Sequence, residues 1–205
     1  YSLLFVNLLI SAGWEVLTKL VLSKLDINLL TLAFYRQFFG CIVLLVIVDR
    51  SFKLPRREDV IPLVILGVLT SLAILSFLQG VKLTTPLICA LLHPTLLAFC
   101  YALGILQGSE VYSRPKVIGV VLSVGAAMAS SILGEEFYSD THSVNWDILL
   151  GTLIVFAAVF FGAAIVVYQR ESIHLPFVYV EGYAYLFASM TTLIFIAISR
   201  LGCMF

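Results

Sequence analysis

The sequence predicts an all-α polytopic membrane protein. Hydrophobic residues make up 61% of the 205, charged residues 12%, and mean hydropathy is +1.10. A soluble domain carries about twice that charge. A chain this short cannot build an interior large enough to hide so much apolar surface from water. The apolar residues also fall into runs of about 20, the length that crosses the hydrocarbon of a bilayer as a helix. Backbone groups cannot stay unpaired in lipid, and period-2 alternation is lacking, so the spans are expected to be helices and not barrel strands.

Seven runs qualify: Ser2–Val21, Leu30–Val48, Val60–Leu78, Thr85–Leu106, Lys116–Leu133, Ile148–Tyr168 and Phe177–Ile198. The first carries Glu15 and Lys19, one helical turn apart in the order that favours an ion pair, with Trp14 beside them. A lone charge in hydrocarbon costs several kcal/mol, of order 2.5–3.5 on insertion scales, so the pair is expected to face the bundle interior. There it serves either a solute site or a structural link. The second run opens on Tyr35, Arg36 and Gln37. Arg36 either snorkels to the headgroups or presents its charge to a cavity. Gln79 and Lys82 close the third run, Lys82 as an interfacial anchor and Gln79 as a solute-path candidate.

The fourth run contains His93–Pro94. Pro55, Pro62, Pro86, Pro115 and Pro176 lie near helix starts, where a missing N–H costs little. Pro94 lies inside a span and is expected to kink or open it, freeing carbonyls for a neighbour, water or a solute. His93 beside it is either a ligand-facing donor or a packed histidine. Glu110, at the end of this run, is expected to pair with Arg114 or the basic connection. Small residues from Gly119 to Ser130 give the fifth run a smooth packing face. The sixth run, rich in Phe, is mainly architectural. Glu181, early in the seventh and near Tyr179, Tyr183 and Tyr185, is a candidate for proton coupling or a hydrogen-bonded edge residue.

The connections set the orientation. Arg50, Lys53, Arg56, Arg57, Arg114, Lys116 and Arg170 fall on one side, and Lys24, Lys82 and Arg200 on the other, seven against three. The positive-inside bias puts the N-terminal side in the cytoplasm and the acidic 134–147 connection, with Glu135, Glu136, Asp140 and Asp147, on the opposite side. The formal net charge is zero, which gives no reason to expect nucleic acid. Cys41, Cys89, Cys100 and Cys203 lack metal-ligand spacing and read as small buried hydrophobes. No metal motif, nucleophile elbow or phosphate loop occurs, so neither a cofactor nor enzymatic chemistry is expected.

Asn7–Gly13 (NLLISAG) resembles Phe156–Gly162 (FAAVFFG). The two stretches are five spans apart, and an odd offset inserts the second unit upside down, a common transporter plan.

The ordered motifs carry a resemblance. The Lys19 region followed by TLAFYRQFFG (Thr31–Gly40), then LGVLTSLAILSFLQGVKLTTPLICALLHPTLLAFCYALGILQGSE (Leu66–Glu110), then KVIGVVLSVGAAM (Lys116–Met128), resembles the drug/metabolite transporter superfamily, specifically EamA-like proteins. The YR and TTP stretches resemble its plant nodulin-like solute carriers. The resemblance implies a ten-helix fold of two inverted five-helix repeats, of which this chain is a seven-helix fragment cut at both ends. Residues 1–133 become the first repeat, 134–147 the acidic non-cytoplasmic loop, and 148–205 the first two helices of the second repeat. It implies transport of small organic metabolites by alternating access, along a path that includes Trp14, Glu15, Lys19, Arg36, Gln79, His93 and Glu181. The expected partners are a lipid bilayer and a metabolite, with proton coupling and a homodimer as further options. The membrane is the plasma membrane or an organelle membrane. The competing reading is a non-transporting scaffold, whose polar residues would disperse to the headgroups and would not share a void.

Overall fold

The computed structural model describes residues 13–14, 16–22, 24, 27–48, 55–138, 146–171 and 176–202. Those residues form helices and no strands. Helix α1 comprises the described helical residues between 13 and 24. It is followed by α2 (Leu29–Ile42), which widens into a π-helical turn over Val43–Val48. Then come α3 (Arg57–Leu83), α4 (Pro86–Leu92), α5 (Thr95–Leu106), α6 (Arg114–Tyr138), α7 (Trp146–Glu171) and α8 (Phe177–Gly202). Five stretches are long and apolar enough to cross a membrane: Leu29–Val46, Arg57–Leu83, Pro86–Leu106, Trp146–Arg170 and Phe177–Arg200. The first expected run lies largely outside the described residues. The fifth is covered by the 25-residue helix α6. That helix runs to Tyr138 and carries Glu135 and Glu136, which the sequence had assigned to the acidic connection.

Local chemistry explains where the helices begin and end. Asn28 caps α2, its side-chain oxygen accepting from the Leu30 N–H at 3.0 Å. Glu58 and Asp59 occupy the first turn of α3 and Lys82 the last, each matched to the helix dipole. The sequence TTP then turns the chain in two residues. Thr84 ends α3, with its N–H and its Oγ1 both donating to the Gly80 carbonyl at 2.9 Å. Thr85 caps α4 by accepting from the Ile88 N–H, and Pro86 takes a first-turn position, where its missing donor costs nothing.

Helix α3 is the spine. Helix α7 packs along α3 and α5, and α8 along α2 and α3. The α3–α7 crossing is close because glycine stands on each side of it. A Cβ on Gly80 would run into the Val155 side chain and lie 3.2 Å from the Gly151 carbonyl oxygen. A Cβ on Gly151 would lie 2.5 Å from Thr84 Cγ2 and 2.7 Å from Leu83 Cβ. Gly182 on α8 plays the same part for the π-turn, whose Leu45 would lie 2.5 Å from an added Cβ. With no hydrophobic force between helices in lipid, such close contact is what holds them.

Apolar clusters fill the remaining space. Leu63, Leu66, Tyr183 and Ala184 join α3 to α8. Val81, Cys89, Leu92 and Val155 join α3, α4 and α7. Leu22, Ala33 and Leu78 join α1, α2 and α3. Phe99 meets Phe156 and Phe160 edge-on, with centroids 6.4 and 5.8 Å away, and fastens α5 to α7.

Candidate functional site: two cavities beside a broken helix

The fourth apolar run is interrupted at His93–Pro94, between α4 and α5. Proline has no N–H to give the preceding turn. The break is closed by Thr95, whose Oγ1 donates to the Leu92 carbonyl at 2.6 Å.

A cavity of about 530 Å³ opens beside this break. This inner cavity is lined by Trp14 of α1, Arg36 of α2, Phe77 of α3, His93 and Leu96 at the break, and Val155, Ala158 and Gly162 of α7. Its polar groups are therefore a guanidinium, an indole and an imidazole, on a wall that is otherwise apolar. The Arg36 guanidinium carbon sits 4.7 Å from the centre of the Trp14 ring, a cation–π contact. The Trp14 Nε1–H is buried and has no hydrogen-bond partner among the described residues.

A second cavity of about 550 Å³ is lined by α5, α6 and α7. Along α5 the inner cavity takes Leu96, and this end cavity takes Leu97, Ala98 and Tyr101. Along α7 the inner cavity takes residues up to Gly162, and the end cavity takes Val166, Val167 and Arg170. His93 faces the first and Pro94 the second. The two voids are thus neighbours along the α5–α7 seam, and the helix break borders both.

The far end of that seam is held by charge. Gly108 turns the chain with φ of +72°, a conformation that suits glycine. The connection then folds back, and the Gly104 carbonyl accepts from the N–H groups of Ser109 and Glu110. Tyr101 Oη accepts from the Ser113 N–H at 2.8 Å. Glu110 is left facing Arg170 at 2.9 Å and Lys116 at 3.1 Å. The expected partners were Arg114 or the basic connection. The fold supplies Lys116, two residues beyond Arg114 in that basic stretch, and adds Arg170 from α7. The hydrogen bond from Arg170, then that from Lys116, holds the Glu110 carboxyl below its ordinary value near 4.5.

Because the folded-state pKa is depressed, the pairing stabilises fully above the ordinary glutamate value and is lost as pH falls through the lowered one. Glu110→Gln should therefore lower the melting temperature at pH 7. The gap from wild type should close as pH falls below about 4.3. Melting curves across that range check it, and a gap that persists at low pH would assign the effect to packing.

The sequence candidates separate cleanly. Trp14, Arg36 and His93 share the inner cavity. Glu15 lies outside the described residues. Lys19 does not line that cavity. Its Nζ donates to the carbonyls of Val81, Lys82 and Thr84 at 2.9, 2.8 and 2.7 Å, which occupies all three ammonium donors. Gln79 is exposed on α3 and lines neither cavity. Glu181 lies near the α7–α8 connection, where its Oε1 accepts from Gln169 Nε2 at 2.8 Å.

The sequence reading missed a buried polar cluster. Thr192 Oγ1 of α8 lies 2.7 Å from Gln37 Oε1 of α2 and 3.0 Å from Ser71 Oγ of α3. All three residues are fully buried, and Gln37 Nε2 has no hydrogen-bond partner among the described residues. The legible signal was a polar residue inside each of three apolar runs.

The model of the EamA-like transporter family matches residues 1–132. No curated protein and no solved structure matches the chain. A match over well more than half the sequence, on a helical chain whose described residues include five stretches long and apolar enough to cross a membrane, assigns the protein: it belongs to the EamA-like transporter family.

Proposed function

We propose that this protein carries small organic metabolites across its membrane by alternating access, with the inner cavity as the solute site. The observation that carries the proposal is the pair of neighbouring voids along α5 and α7, both bordered by the His93–Pro94 break. A solute moving from one to the other along this seam passes a spanning helix that is already interrupted. The first repeat covers residues 1–133, and α7 and α8 open the second. The family match over 1–132 supports that division. The N-terminal side and the Glu110–Arg170 end are cytoplasmic, by the excess of Lys and Arg there.

Rocking of the second unit against the first moves α7 past α3 and α5. The Glu110–Arg170 pair joins the two units at one end of that seam, so it opens when the cytoplasmic side opens. Exposed ion pairs are weak enough to break and re-form during such a cycle. Glu181, hydrogen-bonded to Gln169 across the α7–α8 turn, is the candidate for proton coupling.

Flux by the full-length protein in liposomes, from a mixed metabolite pool at two pH values, tests the reading. Ala73 lines the inner cavity and is only half-buried, so a larger side chain there has room to fill the void. Ala73→Trp should reduce flux to background in protein that still melts cooperatively. Full flux in Ala73→Trp would remove the inner cavity from the path. Background flux in folded wild-type protein, for every pool member, would favour the scaffold.

A further inference from the structure

We infer that Arg36, in cation–π contact with Trp14, anchors an anionic head group, so the solute is a compact organic anion with one carboxylate or similar oxyanion and an apolar body. This rests on the inner cavity being the solute site.

Charge balance is the first argument. Arg36 stands seven residues inside α2, roughly 10 Å from its start at 1.5 Å per residue. A guanidinium stays charged under all ordinary conditions. Among the described residues no carboxylate lines the inner cavity, and both ion pairs are made elsewhere, by Glu110. The Trp14 face offsets part of the cost of holding this cation in the membrane, about 0.5–2 kcal/mol for such contacts. Insertion of a lone charge costs more than that. An anion entering the cavity supplies the remainder.

Geometry is the second argument. The contact with Trp14 is made through the ring face and uses no hydrogen-bond acceptor. The planar fork of a guanidinium matches the two oxygens of a carboxylate.

The rest of the lining sets the body of the solute. Phe77, Ala158 and Gly162 offer apolar surface and little else. Among the described lining residues, a cationic solute would meet a fixed positive charge with no carboxylate to receive it, and a polyanion would find Arg36 as the one permanent cation.

The test uses purified full-length protein and matched acid–amide pairs, benzoate with benzamide and hexanoate with hexanamide, at pH 7. At about ten times the dissociation constant, the acids should raise the melting temperature by about 3–5 °C. The amides should not. The response should vanish in Arg36→Gln and weaken in Arg36→Lys, which keeps the charge but not the fork. Equal responses to acid and amide would overturn the inference. So would an acid response that survives in Arg36→Gln, or no acid-dependent shift with either pair. If Ala73→Trp abolishes flux while Arg36→Gln carries a neutral solute at the wild-type rate, the anchor fails and the path stands. If Ala73→Trp retains full flux, the path fails first.

Discussion

Lys19→Met should lower the melting temperature of the protein by about 6–12 °C. The ammonium donates to three carbonyls at the end of α3, those of Val81, Lys82 and Thr84. The last carbonyls of a helix have no partner within it, and they carry the negative end of its dipole. A lysine from a neighbouring helix satisfies both at once. Hydrogen bonds from a charged donor are worth roughly 1.5–3 kcal/mol each. Two of the three are partly buried and the third is exposed, so about 3 kcal/mol is at stake. At roughly 2–4 °C per kcal/mol for a chain of this size, the expected shift follows. Lys19→Arg should recover part of it.

The same variant separates two roles for Lys19. If Lys19→Met melts like the wild type yet loses flux, the residue acts in the solute path. If stability falls and flux per folded molecule is retained, it acts as the link that ties α1 to the α3–α4 turn. The geometry favours the second outcome, because the three donors are already taken.

Gly151→Ala should destabilise the protein, whereas Gly125→Ala should not. Both replacements gain helix propensity, up to about 1 kcal/mol. They differ in what the new methyl meets. At Gly125 nothing lies within 4 Å. At Gly151 the methyl would stand 2.5 Å from Thr84 Cγ2, 2.7 Å from Leu83 Cβ and 3.2 Å from the Leu83 carbonyl carbon. Backbone cannot step aside as a side-chain tip can, so α7 must move away from α3. Overpacking of this kind costs about 1–3 kcal/mol and sometimes more. Overpacking therefore wins at Gly151, and Gly151→Val should be worse than Gly151→Ala. Thermal melts of the three variants check the ordering. Equal behaviour of Gly151→Ala and Gly125→Ala would mean that the α3–α7 crossing is looser than these distances require.

The two sites meet in space. Gly151 packs on Leu83 and Thr84, the turn whose carbonyls Lys19 caps. Damage to either should loosen the other, so Lys19→Met combined with Gly151→Ala should show an effect that is not the sum of the two. Movement of α7 would also disturb the inner cavity, since Val155, Ala158 and Gly162 lie farther along the same helix.

Much of the architecture followed from sequence alone because lipid imposes one strong rule. Apolar runs of spanning length must be helices. That rule placed α2, α3, α7 and α8 to within a few residues. Short-range chemistry did the same for the turn at TTP and the interruption at His93–Pro94. Trp14, Arg36 and His93 were legible as candidates because each is a costly or unusual residue inside an apolar run. What they do together was not legible. Their meeting in one cavity depends on how α1, α2, α5 and α7 cross, and pairwise crossings are set by packing between residues far apart in sequence. The Arg36–Trp14 cation–π contact has no trace in local spacing. The partners of Lys19 are backbone carbonyls more than 60 residues away, and a carbonyl has no residue type to read. Gln79 shows the opposite failure, a polar residue in a span that faces outward. Composition and periodicity thus determined that this chain spans a membrane as helices. Only the tertiary structure decided which of its charges face a cavity, which hold helix ends, and which merely border the lipid, because those outcomes depend on rotation about each helix axis and on contacts that no local pattern encodes.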